Sequence, residues 1–143
     1  HCVTRRQRQM CIRDRVVVNK SPENGRTGSL KVGLNSVLAE LGRMPNKAIM
    51  CPVDRPGWKA SHIGKLTETD MSCCLTDNSG NGHPVALVKD DLLAIMAAND
   101  DAPLKDIVRF ESVSVDNTLL SLNIDTPEDK ARLTESADFF VEL

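Results

Sequence analysis

A chain of 143 residues with a formal net charge of -2 is long enough for one domain with a real core and too short for two of ordinary size. Apolar residues at 41% and charged residues at 27% match ordinary globular usage and argue against disorder of the whole chain, while the weakly acidic balance excludes a general binder of nucleic acid or membrane surfaces, which needs a basic field. No apolar run reaches the length of a membrane span and no signal-peptide core follows the N-terminal charges, so a soluble, cytoplasmic protein is expected.

Residues 1–15, HCVTRRQRQMCIRDR, carry five arginines against one acid and show neither strand nor helix period. They read as a non-native or disordered basic arm, because RRQRQMCIRDR resembles translated adaptor sequence at the ends of unrelated fragments. Val16 to Asn19 then predicts a short buried strand, followed by a loop rich in turn formers. A helix capped by Thr27 or Ser29 is expected next, since Leu30, Leu34, Val37, Leu38 and Leu41 recur at three- and four-residue spacing and Gly42 stops them. Ala48 to Val53 predicts a strand, Pro56-Gly57 to about Thr69 a half-exposed helix, and Met71 to Leu75 another strand. A polar loop from Thr76 to His83 leads into a strand at Val85 to Val88 and a helix at Asp90 to Ala98. Pro103 to Val108 predicts a short helix, Phe110 to Val115 a strand, and Pro127 to Leu133 the start of a last helix behind Thr126. Strands alternating with helices predict an α/β fold with a mainly parallel sheet and helices on both faces.

The chemistry concentrates at two acidic turns. Pro52-Val53-Asp54-Arg55-Pro56-Gly57 follows the apolar run Ala48 to Met50, and Asn123-Ile124-Asp125-Thr126-Pro127-Glu128-Asp129 follows Leu119 to Leu122. Carboxylates at the ends of two strands offer oxygen ligands to one hard cation, and Mg2+ takes few such ligands beside water and phosphate. Each turn also has an ordinary structural reading: Asp54 bonding its own backbone, Asp125 and Thr126 opening a helix. Gly25-Arg26-Thr27-Gly28-Ser29 ahead of a helix offers backbone amides to an anion or a base edge, although it lacks the endings of the P-loop and of G-x-G-x-x-G. Gly80-Asn81-Gly82-His83-Pro84 allows a ligand close to the backbone beside a histidine. Cys2, Cys11, Cys51, Cys73 and Cys74 are odd in number and form no C-x-x-C pair, which argues against a disulfide framework or a zinc site.

In order and approximate spacing, Asn19, Gly28-Ser29-Leu30-Lys31-Val32-Gly33-Leu34, Pro52 to Pro56, Gly82-His83-Pro84 and Asp125 to Asp129 resemble the nucleotidyltransferases that handle molybdenum cofactor, the cytidylyltransferases and their guanylyltransferase relatives. The resemblance spans about Val16 to Leu133. It implies a three-layer, Rossmann-like nucleotidyltransferase fold of the GT-A type, and transfer of NMP from an NTP, CTP favoured and GTP possible, to a pterin-type cofactor with release of pyrophosphate. It further implies Mg2+ on Asp54, the catalytic aspartate of the D-x-P turn, and on Asp125. Gly28 and Ser29 match the loop beside the nucleotide base, and Gly82 and His83 the turn that faces the acceptor. Arg55 stands where Gln or Thr is common. The family's opening strand and its loop L-A-A-G-x-x-x-R-M-G-x-x-K, which grips the triphosphate, have no counterpart here. Residues 16–143 therefore read as the C-terminal part of a single nucleotidyltransferase domain whose first βαβ portion is missing, expected to be inactive by itself. Two alternatives are a sugar-phosphate nucleotidyltransferase and a non-catalytic nucleotide-binding domain.

Overall fold

The computed structural model describes residues 15–141. The predicted basic arm falls outside them except for Arg15, whose guanidinium pairs with the Glu40 carboxylate. The described chain forms a four-stranded sheet of β1 (Lys47–Met50), β2 (Cys73–Asp77), β3 (Gly80–Val88) and β4 (Glu111–Ser114). Around it lie α1 (Gly25–Leu41), α2 (Ala60–Glu68), α3 (Lys89–Ala97), the single turn α4 (Leu104–Ile107) and α5 (Pro127–Glu135), with short 3-10 turns at Pro22–Asn24 and Ala137–Phe140.

The α/β class holds, but the mainly parallel sheet is corrected. Strand order is β1-β3-β2-β4, with β1 and β2 both antiparallel to β3 and only β2 and β4 parallel. The physical reason lies in the segment from Thr76 to His83, expected as a loop. Asp77 Oδ1 accepts from the Ser79 amide at 2.8 Å and its hydroxyl at 2.6 Å, and Gly80 takes a φ of 126°, so the chain reverses within two residues. A hairpin replaces the helix-bearing crossover that parallel strands require.

Neighbouring residues on each strand point to opposite faces, and each face carries its own core. Ala48 and Leu87 pack with Leu34, Met44, Leu92, Ile95 and Val108 beneath α1, α3 and α4. Ile49 and Ala86 pack with Leu66, Cys73, Leu75, Val115 and Leu120 on the side of α2. Of the three cysteines expected to serve as small buried hydrophobes in strands, Cys73 and Cys74 do so, whereas Cys51 lies just past the end of β1 and is exposed.

Two predicted strands do not form. Val16 is 94% and Val18 73% exposed, and no ladder partner lies along residues 16–19. Leu119 to Leu122 is a turn, closed by the Leu122 amide on the Leu119 carbonyl at 3.0 Å. Leu120 and Leu122 still bury themselves, but they do so by dropping into the core from a turn. Among the described residues no helix is long and apolar enough to cross a membrane.

Candidate functional site

The turn after β1 and the turn before α5 meet. Asp54 sits half-buried in a bend closed by the Arg55 amide on the Pro52 carbonyl at 3.2 Å. Its own carbonyl accepts the Ile124 amide at 2.9 Å, which sets the residue next to Asp125 against the backbone of Asp54. The two acidic turns, expected to offer ligands to one cation, meet through this bond, although only the first turn follows a strand.

Three neighbouring contacts hold the junction. Asn117 is buried, donates from Nδ2 to the Gly57 carbonyl at 2.6 Å and accepts the Leu119 amide on Oδ1 at 2.9 Å. Gly57 has no room for a side chain, since a Cβ there would lie 1.8 Å from the Leu119 carbonyl oxygen. Arg55 reaches the Ser121 carbonyl at 3.5 Å. The second turn is built locally. Thr126 accepts the Asp129 amide while Asp129 Oδ2 accepts the Thr126 amide at 3.0 Å and the Asp125 amide at 3.2 Å, a reciprocal cap that starts α5 as predicted. These donors, the Thr126 hydroxyl foremost, hold the Asp129 carboxyl below its ordinary value.

His83 joins the same edge from β3. Pairing runs Cys74 with Val85 and then Leu75 with Gly82, so His83 and Pro84 bulge from the ladder, with a cis peptide between them. A bulge of this kind re-aims a side chain out of the regular pleat. His83 is half-buried, and burial lowers its pKa first, with Arg26 and Arg55 repelling the imidazolium and Asp54 favouring it. The ring is therefore neutral at pH 7, and its Nδ1 is buried without a hydrogen-bond partner. Asn123 Oδ1 is likewise buried without a partner, while its Nδ2 donates to the Asp125 carboxylate. The buried side-chain polar atoms left unpaired among the described residues are these two.

The glycine expectations need correcting. Residues 25–29 are the first turn of α1 rather than a loop, and the Gly28 amide is spent on the Asp100 carbonyl at 3.0 Å. A Cβ on Gly28 would come within 3.3 Å of the Asp100 Cβ, so its small size serves packing of α1 against the 99–102 turn, where Thr27 also donates to the Ala102 carbonyl. Ser29 stays exposed, donating to the Gly25 carbonyl at 3.1 Å and accepting from Asn19 Nδ2 at 2.8 Å. Gly82 is glycine because Leu120 occupies the space of its Cβ, 2.5 Å from Cγ. Arg26, Asn117 and Asn123 were not singled out from the sequence. No spacing rule ties residue 26 to residue 83, and an asparagine in a loop carries no chemical signal of its own.

On the outer side of the Asp54 turn lies an open apolar groove of about 700 Å3, walled in part by Pro52, Val53, Trp58 and Phe140. Cys51 faces it, and burial raises its thiol above the ordinary value, so it is not a thiolate at neutral pH. No three or more His, Cys, Asp or Glu side chains gather at one point among the described residues. No family model matches the chain, and neither the curated proteins nor the solved structures contain a significant match to it.

Proposed function

We propose that the chain carries the acidic half of a nucleotidyltransferase site, in which NMP passes from CTP or GTP to a pterin-type acceptor and pyrophosphate leaves. The observation that carries this reading is the hydrogen bond between the Asp54 carbonyl and the Ile124 amide, which joins two aspartate turns distant in sequence beside His83. Mg2+ suits the donors present: carboxylates at Asp54 and Asp125, and on the same turn the Asn123 Oδ1, a hard oxygen buried without a partner. Bound there, the ion supplies charge to offset that developing on the phosphoryl oxygens.

The chain's own residues take the remaining roles. Asp54 and Asp125 hold the cation, and the Asp129–Thr126 cap fixes the backbone at Asp125 without using the Asp125 carboxylate. His83, neutral and half-buried, faces the acceptor as a hydrogen-bonding group. The apolar groove beside the Asp54 turn has Trp58 and Phe140 in its walls, which suits a planar heterocycle. The triphosphate loop of the resembled family has no counterpart among these residues, so the 143-residue chain alone is expected to turn over negligibly.

Pyrophosphate release from CTP and GTP tests the activity, measured on this chain and on a version extended by the genomic reading frame upstream of Val16. In the extended protein Asp54→Asn is expected to keep the fold and lower turnover at least ~100-fold, the scale of a lost charged contact in the transition state. On the chain itself, calorimetric Mg2+ titration is expected to lose its signal in Asp54→Asn. An Asp54→Asn protein that binds Mg2+ and turns over like its parent overturns the reading.

A further inference from the structure

The groove on the outer side of the Asp54 turn is walled by two segments far apart in the chain. Val53, Pro56 and Trp58 come from the stretch after β1, and Leu133 and Phe140 from α5 and the 3-10 turn behind it. The residues next to the two aromatic rings tie the walls together: Lys59 Nζ lies 4.4 Å from the centre of the Phe139 ring, and Phe139 meets Phe140 edge to face at 5.0 Å. A cation over an aromatic face is a specific contact, so the groove is a built space between two anchored walls. Its walls nevertheless keep their apolar side chains in the open. Val53 is 97% exposed, Trp58 and Phe140 are half-buried, and among the described residues none from Asn123 to Val141 is buried. A contiguous apolar surface of this kind marks a binding place, and a space of about 700 Å3 has the size of a small-molecule site. None of the described residues that line it carries a charge, so it offers nothing to a phosphate and suits an uncharged ring.

We propose that this groove seats the pterin ring of the acceptor between Trp58 and Phe140. The choice of occupant rests on the nucleotidyltransferase reading, which supplies two planar heterocycles, the nucleobase and the pterin. The lining decides between them. Telling CTP from GTP requires hydrogen bonds to the edge of the base, since strong discrimination comes from polar groups left unpaired by the wrong ligand. The side chains of the groove offer only the Cys51 thiol and the Trp58 indole N–H for that purpose. An acceptor need not be told from a near twin, and contact with two aromatic side chains is enough to hold its ring. The position fits too: Val53 and Pro56 flank Asp54 in the chain, so a ring in the groove keeps its substituent at the turn that carries the acidic residue.

Titration of the full 143-residue chain with neopterin, without Mg2+ or NTP, tests the seat through two signals. Trp58 is the only tryptophan of the chain, so its emission reports on the groove directly. Cys51 faces the same space as an exposed free thiol, and its alkylation by iodoacetamide, followed by mass spectrometry of the Cys51 peptide, reports on access. Neopterin is expected to quench the Trp58 emission and to slow the alkylation of Cys51. Phe140→Ala should weaken binding about tenfold, the factor for one lost aromatic contact, with circular dichroism verifying the fold. Lys59→Gln, which removes the cation from the Phe139 ring, should weaken it less, and Lys105→Gln, in a separate pocket, should leave it unchanged. Neopterin that alters neither signal, or that binds Phe140→Ala like the parent, overturns the seat. Cytidine or guanosine that protects Cys51 as well as neopterin does overturns its assignment to the acceptor. Asp54→Asn separates this inference from the reading beneath it: the variant should lose Mg2+ binding and keep neopterin binding, so either property can fail without the other.

Discussion

The two aspartate turns look alike in sequence, each an Asp within two residues of a proline after an apolar run, yet they are held by different means. The Asp54 turn is fixed from outside: Asn117 spans Gly57 and Leu119, Gly57 lies flat on the Leu119 carbonyl, and the Asp54 carbonyl takes the Ile124 amide. The Asp125 turn is fixed from within, by the reciprocal bonds of Thr126 and Asp129 at the head of α5. The first depends on chain segments distant in sequence, so damage to it should spread through the domain. The second is a local cap, and damage there should stay within one helix.

The most severe way to break the contrast is Gly57→Ala. The new Cβ meets a backbone carbonyl at 1.8 Å, and backbone cannot swing aside as a side chain can. A loss of about 3 kcal/mol or more is expected in urea denaturation, the upper range for overpacking, together with weakened Mg2+ binding as the turn around Asp54 shifts. Retention of parental stability would show that the two loops are not clamped.

Asn117→Ala should cost about 1–3 kcal/mol in the same assay, because it strands the Gly57 carbonyl and the Leu119 amide without their partner. Thr126→Ala should cost about 1 kcal/mol, the ordinary value of an N-cap, and reduce the helical signal of α5 without disturbing the Asp54 turn.

The smallest effect is one of pH. The Asp129 carboxyl is held below its ordinary 3.8 by the Thr126 hydroxyl and by the amides of Asp125 and Thr126. A depressed carboxyl binds fewer protons in the folded state than in the unfolded one, so its contribution is complete above pH 3.8 and is lost as the pH falls further. Denaturation curves between pH 5 and 3, taken for the parent and for Asp129→Asn, should converge at the acid end. Parallel curves would mean that the cap gains nothing from the ionised carboxylate.

Most of the elements were legible because their signals are local. The spacing of Leu30, Leu34, Val37, Leu38 and Leu41 and the stop at Gly42 give α1, whose Gly42 takes the left-handed φ of 68° that such a stop requires. Thr126, Pro127 and Asp129 give the head of α5 for the same reason. The failures share a different cause. Val16 to Val18 and Leu119 to Leu122 have strand-forming composition, but a strand needs a partner ladder, and these residues have none. Gly28 and Gly82 were expected beside a ligand, and each is small because another part of the chain fills the space, Asp100 in one case and Leu120 in the other.

What the sequence by itself determined is therefore the local grammar: the α/β class, the position of α1, α3 and α5, and the two acidic turns with their prolines. Strand direction belonged to the tertiary structure, since the hairpin at Asp77 to Gly80 and the β2–β4 pairing are choices between partners that periodicity does not distinguish. The meeting of the two acidic turns belonged to it as well, through the bond of the Ile124 amide to the Asp54 carbonyl. These residues lie far apart in sequence, and only the folded chain brings them within hydrogen-bond distance, because such a bond depends on distance through space and not along the chain.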